Sequence, residues 1–579
     1  MAETHYCGTG YIRAMSVTNM EKSIPEGLPP RDISRRLMRM PVGKRMETIL
    51  SSSDSSGMAA SLAVQDFYVT VQEIGPDDSL PLLALATVPQ LTHLFDIEWW
   101  EKDKVRPAAA LGWLERLALA SEEKMAAWLY EADFELLVTL FKRWLVLAVV
   151  PEDTDLLEAR ESLPKQSLDS HYFWDVKYPQ YEDLVKRVLS FLFEVNYGFY
   201  RELMSQIIWT LDAEVEEQAY RFHKGRLEDR AIPDFYEAVT IYHDAGADGA
   251  AFPGRVSMAE QGEEWPPGFA VAHIQDRDFL GSVLRESPGP ALLDSIQDSI
   301  QFELASLANK VVVADGSLPE GSEALRRAVE KTVAYVSLGL ELRSDGDIEA
   351  ARRAIQDCYL EDLFRLAHNS VAKIRGRLQT LQRRGWLSLW STGIRVLDGQ
   401  WLERAELLLE KTPRWLRSSG DTTGVWREDF FKSRRDLLEG SRLMDVIEEA
   451  GQLYHSVRVD PEVLARDLWR GGQIPDIESV TLGSLVWTAA ARQILHGRWA
   501  VAPLPVKDWN FISPALGPAV MREVILAHTA MIAPAEEKRA LLMAYLEPVF
   551  QTYEEDLSHI QAGAPPEPAL VRYFLFSRK

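Results

Sequence analysis

From Ser79 to Val150 the chain repeats a short theme: a helix-start signal, a few turns of apolar spacing, then a break. Pro81 follows Ser79 as a first-turn proline. Thr87-Val88-Pro89-Gln90 joins an N-cap, a first-turn proline and a capping-box glutamine ahead of Leu91, Leu94 and Phe95. Pro107 opens a segment carrying Leu111, Trp113, Leu114 and Leu117, and Ser121 caps one carrying Met125, Trp128 and Leu129. Asp133 is placed to cap a longer segment with Leu136, Leu137, Leu140, Phe141 and Trp144 at helical spacing. Helices this short are marginal alone and bury their apolar stripes only against neighbours. The spacing predicts roughly four or five short helices with tight turns. By extension it predicts an all-α chain of stacked short helices, forming an irregular superhelix or two helical lobes. No strict sequence period recurs.

Beyond Val150, residues 154–175 are turn-rich, with a short extended piece expected at His171–Trp174. Leu184, Val185, Val188, Leu189 and Leu192 mark an amphipathic helix from Tyr181. Val311-Val312-Val313 sits inside a helical pattern and reads as helix. Gly563–Pro568 breaks the chain before Tyr573–Phe576, a short apolar piece expected to dock on the body. The organisation read from this is a flexible segment (1–27), an N-terminal helical region (28–244), a Gly/Ala/Pro-rich linker or long loop (245–268) and a C-terminal helical region (269–579).

Hydrophobic residues make up 46% and charged residues 26%, an ordinary globular balance. The formal net charge of −24 argues against a general nucleic-acid binder and against docking on an anionic membrane surface. Two cysteines, Cys7 and Cys358, suit a reduced compartment. No apolar signal region precedes Gly27, and Met15 and Met20 are alternative starts. Glu135, Lys142 and Arg143 interrupt the most apolar stretch, Phe134–Val150, so no membrane insertion is expected and the chain reads as cytoplasmic. The nearest two histidines, His223 and His243, are too far apart for a metalloprotease pair, and no Glu-x-x-His, zinc, P-loop or nucleophile-elbow pattern occurs. No cofactor, no metal site and no catalytic residue are predicted.

The main departure from the acidic average is a basic stretch. From Arg365 to Leu397 no acidic residue occurs, while Arg365, Lys373, Arg375, Arg377, Arg383, Arg384 and Arg395 do. On a helix, Lys373, Arg377 and Arg384 fall within roughly 40° of one another, apart from the apolar face of Val371, Ile374, Leu378 and Leu381. Such a face either pairs with acidic neighbours inside the fold or binds a partner or an anion. Arg221, Arg226 and Arg230, among Glu214, Glu216, Glu217, Glu228, Asp229 and Glu237, read as an ion-pair network. Trp99-Trp100, Tyr172-Phe173-Trp174 and the pair Trp386 and Trp390, which can share a helix face, read as core. The leading functional expectation is a helical interaction or scaffold protein that binds another protein, with Lys373, Arg377 and Arg384 as candidate contacts. The alternatives are an enzyme with a scattered site near Arg221–Glu237, or an anion- or nucleic-acid-responsive regulator using 365–397.

Several segments carry a family resemblance. They include Glu73-Ile74-Gly75-Pro76-Asp77-Asp78 leading into Leu82–Ala86, and Tyr220-Arg221 with Gly225–Arg230 and Phe235-Tyr236-Glu237-Ala238. Leu304-Ala305 with Leu307–Val311, and Thr481-Leu482-Gly483 with Thr488-Ala489, extend it. Together they resemble the bacterial domain-of-unknown-function 6178 family over most of the chain. The resemblance implies a long helix-rich protein and brings no activity or site residues. Residues 70–150 are also similar to the helical N-terminal domain of magnesium-transporter proteins, through short Leu-rich helices alone.

Overall fold

The structure is a computed structural model that describes residues 28–150, 160–243, 267–274, 278–285, 290–316, 322–418, 426–470, 479–505, 516–558 and 573–577. The expected segment 1–27 and nearly all of the expected linker 245–268 lie outside the described residues. The chain divides into two compact units. The first holds the described residues up to Ile241 with 267–274, 290–316 and 322–332; the second holds 242–243, 278–285 and the described residues from Val333 onward.

Both units are predominantly α-helical. The first begins with α1 (Pro30–Met38), α2 (Val42–Leu50), α3 (Ser55–Ala60), α4 (Val64–Ile74), α5 (Leu80–Leu83) and α6 (Val88–Glu98). Next come α7 (Pro107–Ala120), α8 (Glu122–Glu131) and α9 (Phe134–Trp144). It continues with α10 (Glu182–Val195), α11 (Tyr197–Trp209), α12 (Asp212–Asp229) and α13 (Phe235–Ala238). The start signals work as local chemistry requires. Thr87 and Gln90 form a reciprocal capping box on α6, and the Lys124 amide donates to Ser121 Oγ at 3.2 Å on α8. Asp133 precedes α9 but makes no cap bond, because its carboxylate is taken by Arg226 of α12.

The apolar run after α9 departs from the helical expectation. Leu145–Val149 is a strand, β3, paired antiparallel with β4 (Tyr172–Val176), from Leu145 opposite Val176 to Val149 opposite Tyr172. The expected extended piece at His171–Trp174 is therefore one half of a hairpin whose other half is hidden inside a continuous apolar run. A smaller hairpin joins β1 (Trp100–Glu101) to β2 (Lys104–Val105). Helix α9 is held between α11 and α12. Phe134 meets Phe199 edge-on at 5.5 Å, Lys142 pairs with Asp212 at 2.9 Å, and Arg143 pairs with Glu216 at 3.1 Å.

In chain order α14 (Phe279–Arg285) belongs to the second unit and α15 (Pro290–Asp315) to the first, while α16 (Ser322–Ser344) contributes to both. The second unit adds α17 (Ile348–Asp357), α18 (Leu360–Arg384), α19 (Gly399–Leu409), α20 (Arg434–Val457), α21 (Pro461–Arg470), α22 (Leu482–His496), α23 (Pro518–Ile532) and α24 (Glu536–Ser558). A hairpin joins β5 (Arg414–Ser418) to β6 (Trp426–Phe430), and β7 (Leu504–Pro505) pairs in parallel with β8 (Phe576–Ser577). Tyr573–Phe576 docks as expected, with Phe574, Leu575 and Phe576 buried.

Helix α18 places the candidate residues. Its stripe of Leu360, Leu363, Phe364, Ala367, Val371, Ile374 and Leu378 is buried, which fixes which side faces outward. It crosses α16 so closely that a Cβ on Gly339 would lie 1.9 Å from the Leu363 carbonyl oxygen. Trp386 and Trp390 do not share a helix. Gly385 ends α18, Trp386–Leu389 form a short 3₁₀ turn, and both indoles are buried against Tyr454 at 5.5 and 6.3 Å. Trp99, Trp100 and Tyr172–Trp174 are likewise core. Among the described residues no helix is long and apolar enough to cross a membrane.

Candidate functional site

The basic residues of α18 divide by what their charge meets. Arg375 donates to the carbonyls of Leu409 (3.2 Å) and Lys411 (3.4 Å), the negative end of α19. Arg377 grips α20. It donates to Glu448 through Nε (3.0 Å) and Nη2 (2.8 Å), to Asp445 at 2.7 Å and to Ser441 Oγ at 3.3 Å. These bonds hold its pKa above the usual arginine range. Arg365 pairs with Glu361 on its own helix. So three of the cations are committed to the fold.

Lys373, Arg383, Arg384 and Arg395 are exposed, and none makes a hydrogen bond or ion pair with the described residues. Lys373 and Arg384 lie within about 20° of each other around α18 and roughly 16 Å apart along it. The structure thus keeps Lys373, Arg377 and Arg384 on one side of one helix. It spends Arg377 internally and leaves the other two facing outward.

The second sequence cluster is a clamp. Arg226 forms a two-point bond with Asp96, Nε to Oδ2 at 2.8 Å and Nη2 to Oδ1 at 2.7 Å, and also pairs with Asp133. Burial pushes the Asp96 pKa up, and Arg226 opposes that rise. Glu237 is exposed, so Arg226 and Glu237 are not brought together. Arg221 makes only an exposed pair with Glu217 one turn away.

Sequence reasoning missed a buried polar spine in the first unit. Asp66, fully buried, accepts the amides of Gly268 and Phe269 at 2.8 Å each and the Ser34 hydroxyl at 3.1 Å. Desolvation raises its pKa to about 6. Glu98 accepts from Tyr68, Gln72 and Trp113. His93 has no exposure and both its ring nitrogens are without a partner; His223 Nε2 faces the Asp96 carbonyl at 3.2 Å. Burial lowers both histidines to about 3. The available signal was polar residues (Gln65, Asp66, Gln72) set in a helix whose residues Val64–Gln72 are all buried. An open cleft of about 320 Å³ lies between Tyr172 and one face of α11, formed by Gly198, Arg201, Glu202, Ser205 and Gln206. Arg201 and Glu202 are exposed there. Among the described residues no group of three or more His, Cys, Asp or Glu is placed to hold a metal ion.

The fold defines a long, predominantly α-helical protein of two compact units. Its family can be stated directly: the model described as "Family of unknown function (DUF6178)" matches residues 22–577, and the chain belongs to that family. No curated protein and no solved structure matches it.

Proposed function

We propose that the chain is a cytoplasmic interaction protein that binds an acidic surface of another protein through the outward side of α18. The observation that carries this reading is the set Lys373, Arg383 and Arg384, exposed and without a partner among the described residues, in a chain of net charge −24. Arg365 and Arg377 pair with acidic side chains and Arg375 with backbone carbonyls. Lys373 and Arg384 on one side of α18, with Arg383 about 100° around from Arg384, form a local positive field that favours an acidic partner. The overall negative charge disfavours a nucleic-acid backbone, whose binding rises with the number of phosphates neutralised.

The test is affinity capture from lysate with wild type beside Lys373→Glu/Arg383→Glu/Arg384→Glu. Arg377 is left intact because it holds α18 to α20. Loss of one specific protein in the variant, at unchanged melting temperature, supports the reading. A partner retained by the variant, or none for either form, refutes it. Capture of nucleic acid in place of protein favours the regulator reading instead.

A further inference from the structure

The cleft beside α11 has its cause in the helix sequence. Around α11, Gly198 and Ser205 fall within about 20° of each other, two turns apart, and Arg201 and Glu202 stand about 40–60° to either side. A glycine and a serine set between two long side chains leave a hollow. Tyr172 of β4 forms the opposite wall, and the space of about 320 Å³ falls at the lower end of the range for small-molecule sites.

The walls carry polar groups with no protein partner. Tyr172 is 6% exposed, yet its hydroxyl makes no hydrogen bond with the described residues. The residue itself is held firmly: it lies opposite Val149 in the hairpin, its amide donates to Asp169 Oδ1 at 2.9 Å, and its ring meets Tyr200 edge-on at 6.5 Å. A phenol fixed in a cleft wall and bonded to no protein group is placed to bond a ligand there. Arg201 and Glu202 pair neither with each other nor with any other described residue, and the Ser205 hydroxyl is likewise without a partner among them. The Thr210 hydroxyl donates to Gln206 Oε1, which leaves the Gln206 amide nitrogen free to donate.

We infer that this cleft binds a small zwitterion of the amino-acid class, its carboxylate on Arg201 and its ammonium on Glu202. A guanidinium meets a carboxylate through two parallel N–H···O bonds, and an ionised Glu202 only accepts, so it takes the ammonium. A plain anion would be repelled by Glu202 and a plain cation by Arg201, whereas a molecule carrying both charges close together satisfies both. Tyr172, Ser205 and Gln206 supply the neutral bonds that fix its orientation. The cleft lies within the first unit, and the inference is independent of the α18 surface.

The experiment is saturation-transfer NMR on the full chain with each protein amino acid in turn at about 10 mM, followed by titration of every binder. Its amide and its N-acetyl derivative, each lacking one charge, are titrated beside it. At least one amino acid binds wild type with a Kd of about 1 mM or tighter, and each derivative binds at least about tenfold more weakly. Arg201→Gln weakens the amino acid about tenfold and leaves its amide unchanged; Glu202→Gln weakens it about tenfold and leaves the N-acetyl derivative unchanged. Both side chains are exposed and break no bond with the described residues when replaced, so the circular dichroism of the variants matches wild type. Should a variant fail to fold, the two derivatives on wild type decide alone. No binder among the amino acids overturns the inference. So does a binder whose blocked derivatives bind equally well, or one that both variants hold as tightly as wild type.

Discussion

Replacing Arg226 by methionine removes the cation that is hydrogen-bonded to Asp96. Asp96 is 2% exposed and Arg226 22%, and the two share a bidentate bond. Breaking a buried pair from one side typically costs about 3–5 kcal/mol, because the remaining charge stays buried without compensation. Here Asp133 is left beside Asp96, and its charge already raises the Asp96 pKa. Arg226→Met should therefore lower the unfolding free energy of the first unit by about 4 kcal/mol at pH 7. The loss should shrink as the pH falls and Asp96, its pKa raised by burial, takes a proton. Asp96→Leu with Arg226→Met removes both charges, keeps the His223 bond to the Asp96 backbone, and should return to within about 1–2 kcal/mol of wild type. Urea unfolding followed by circular dichroism measures all three, with the slope checked for constancy and the two units fitted separately. A single mutant within about 1 kcal/mol of wild type would refute the reading of Arg226 as a structural clamp.

His93, held near 3 by burial, is neutral in the folded chain and takes its proton only on unfolding, so stability falls as pH drops through 6.5. His93→Leu should remove about 2 kcal/mol of the loss between pH 7 and 5, read as the difference between two urea series. Asp66 acts with the opposite sign. Its raised folded pKa of about 6 adds roughly 1 kcal/mol of stability over the same interval, a gain that Asp66→Asn abolishes. Gly339→Ala should cost at least about 3 kcal/mol, since its Cβ would enter the Leu363 carbonyl oxygen; a melting temperature within a degree of wild type contradicts that contact. Ala231 sits at φ 55° after α12, with the Ile232 amide on the Leu227 carbonyl. Ala231→Gly should gain about 0.5–1 kcal/mol in thermal unfolding.

Local signals were legible where the determinant is local. Thr87 with Gln90, Ser121, Pro107 and the stripe of α18 are contiguous patterns, and the helices start and face as they specify. Strand β3 was not legible, because Leu145–Val149 continues an apolar run and only pairing with Tyr172–Val176 makes it extended. Asp133 was read as a cap by position, yet a guanidinium 93 residues away outbids the local amides. Trp386 and Trp390 looked like helix neighbours until Gly385 broke the helix between α18 and them. The basic stretch was visible in the sequence, but which of its cations are consumed depends on α19 and α20, elements that spacing alone does not bring alongside. Asp66 and His93 were missed for the same reason, since each is defined by burial and the only trace of it in the sequence is the run of polar residues in α4.

The most direct test of the α18 surface is zero-length carbodiimide cross-linking of the captured complex, with the joined residues mapped by mass spectrometry. Lys373 is the only lysine in the basic stretch and is exposed. Cross-links from Lys373 to aspartates or glutamates of the partner, lost at high salt, are the predicted result. A complex whose cross-links avoid Lys373 and fall on the first unit would contradict it.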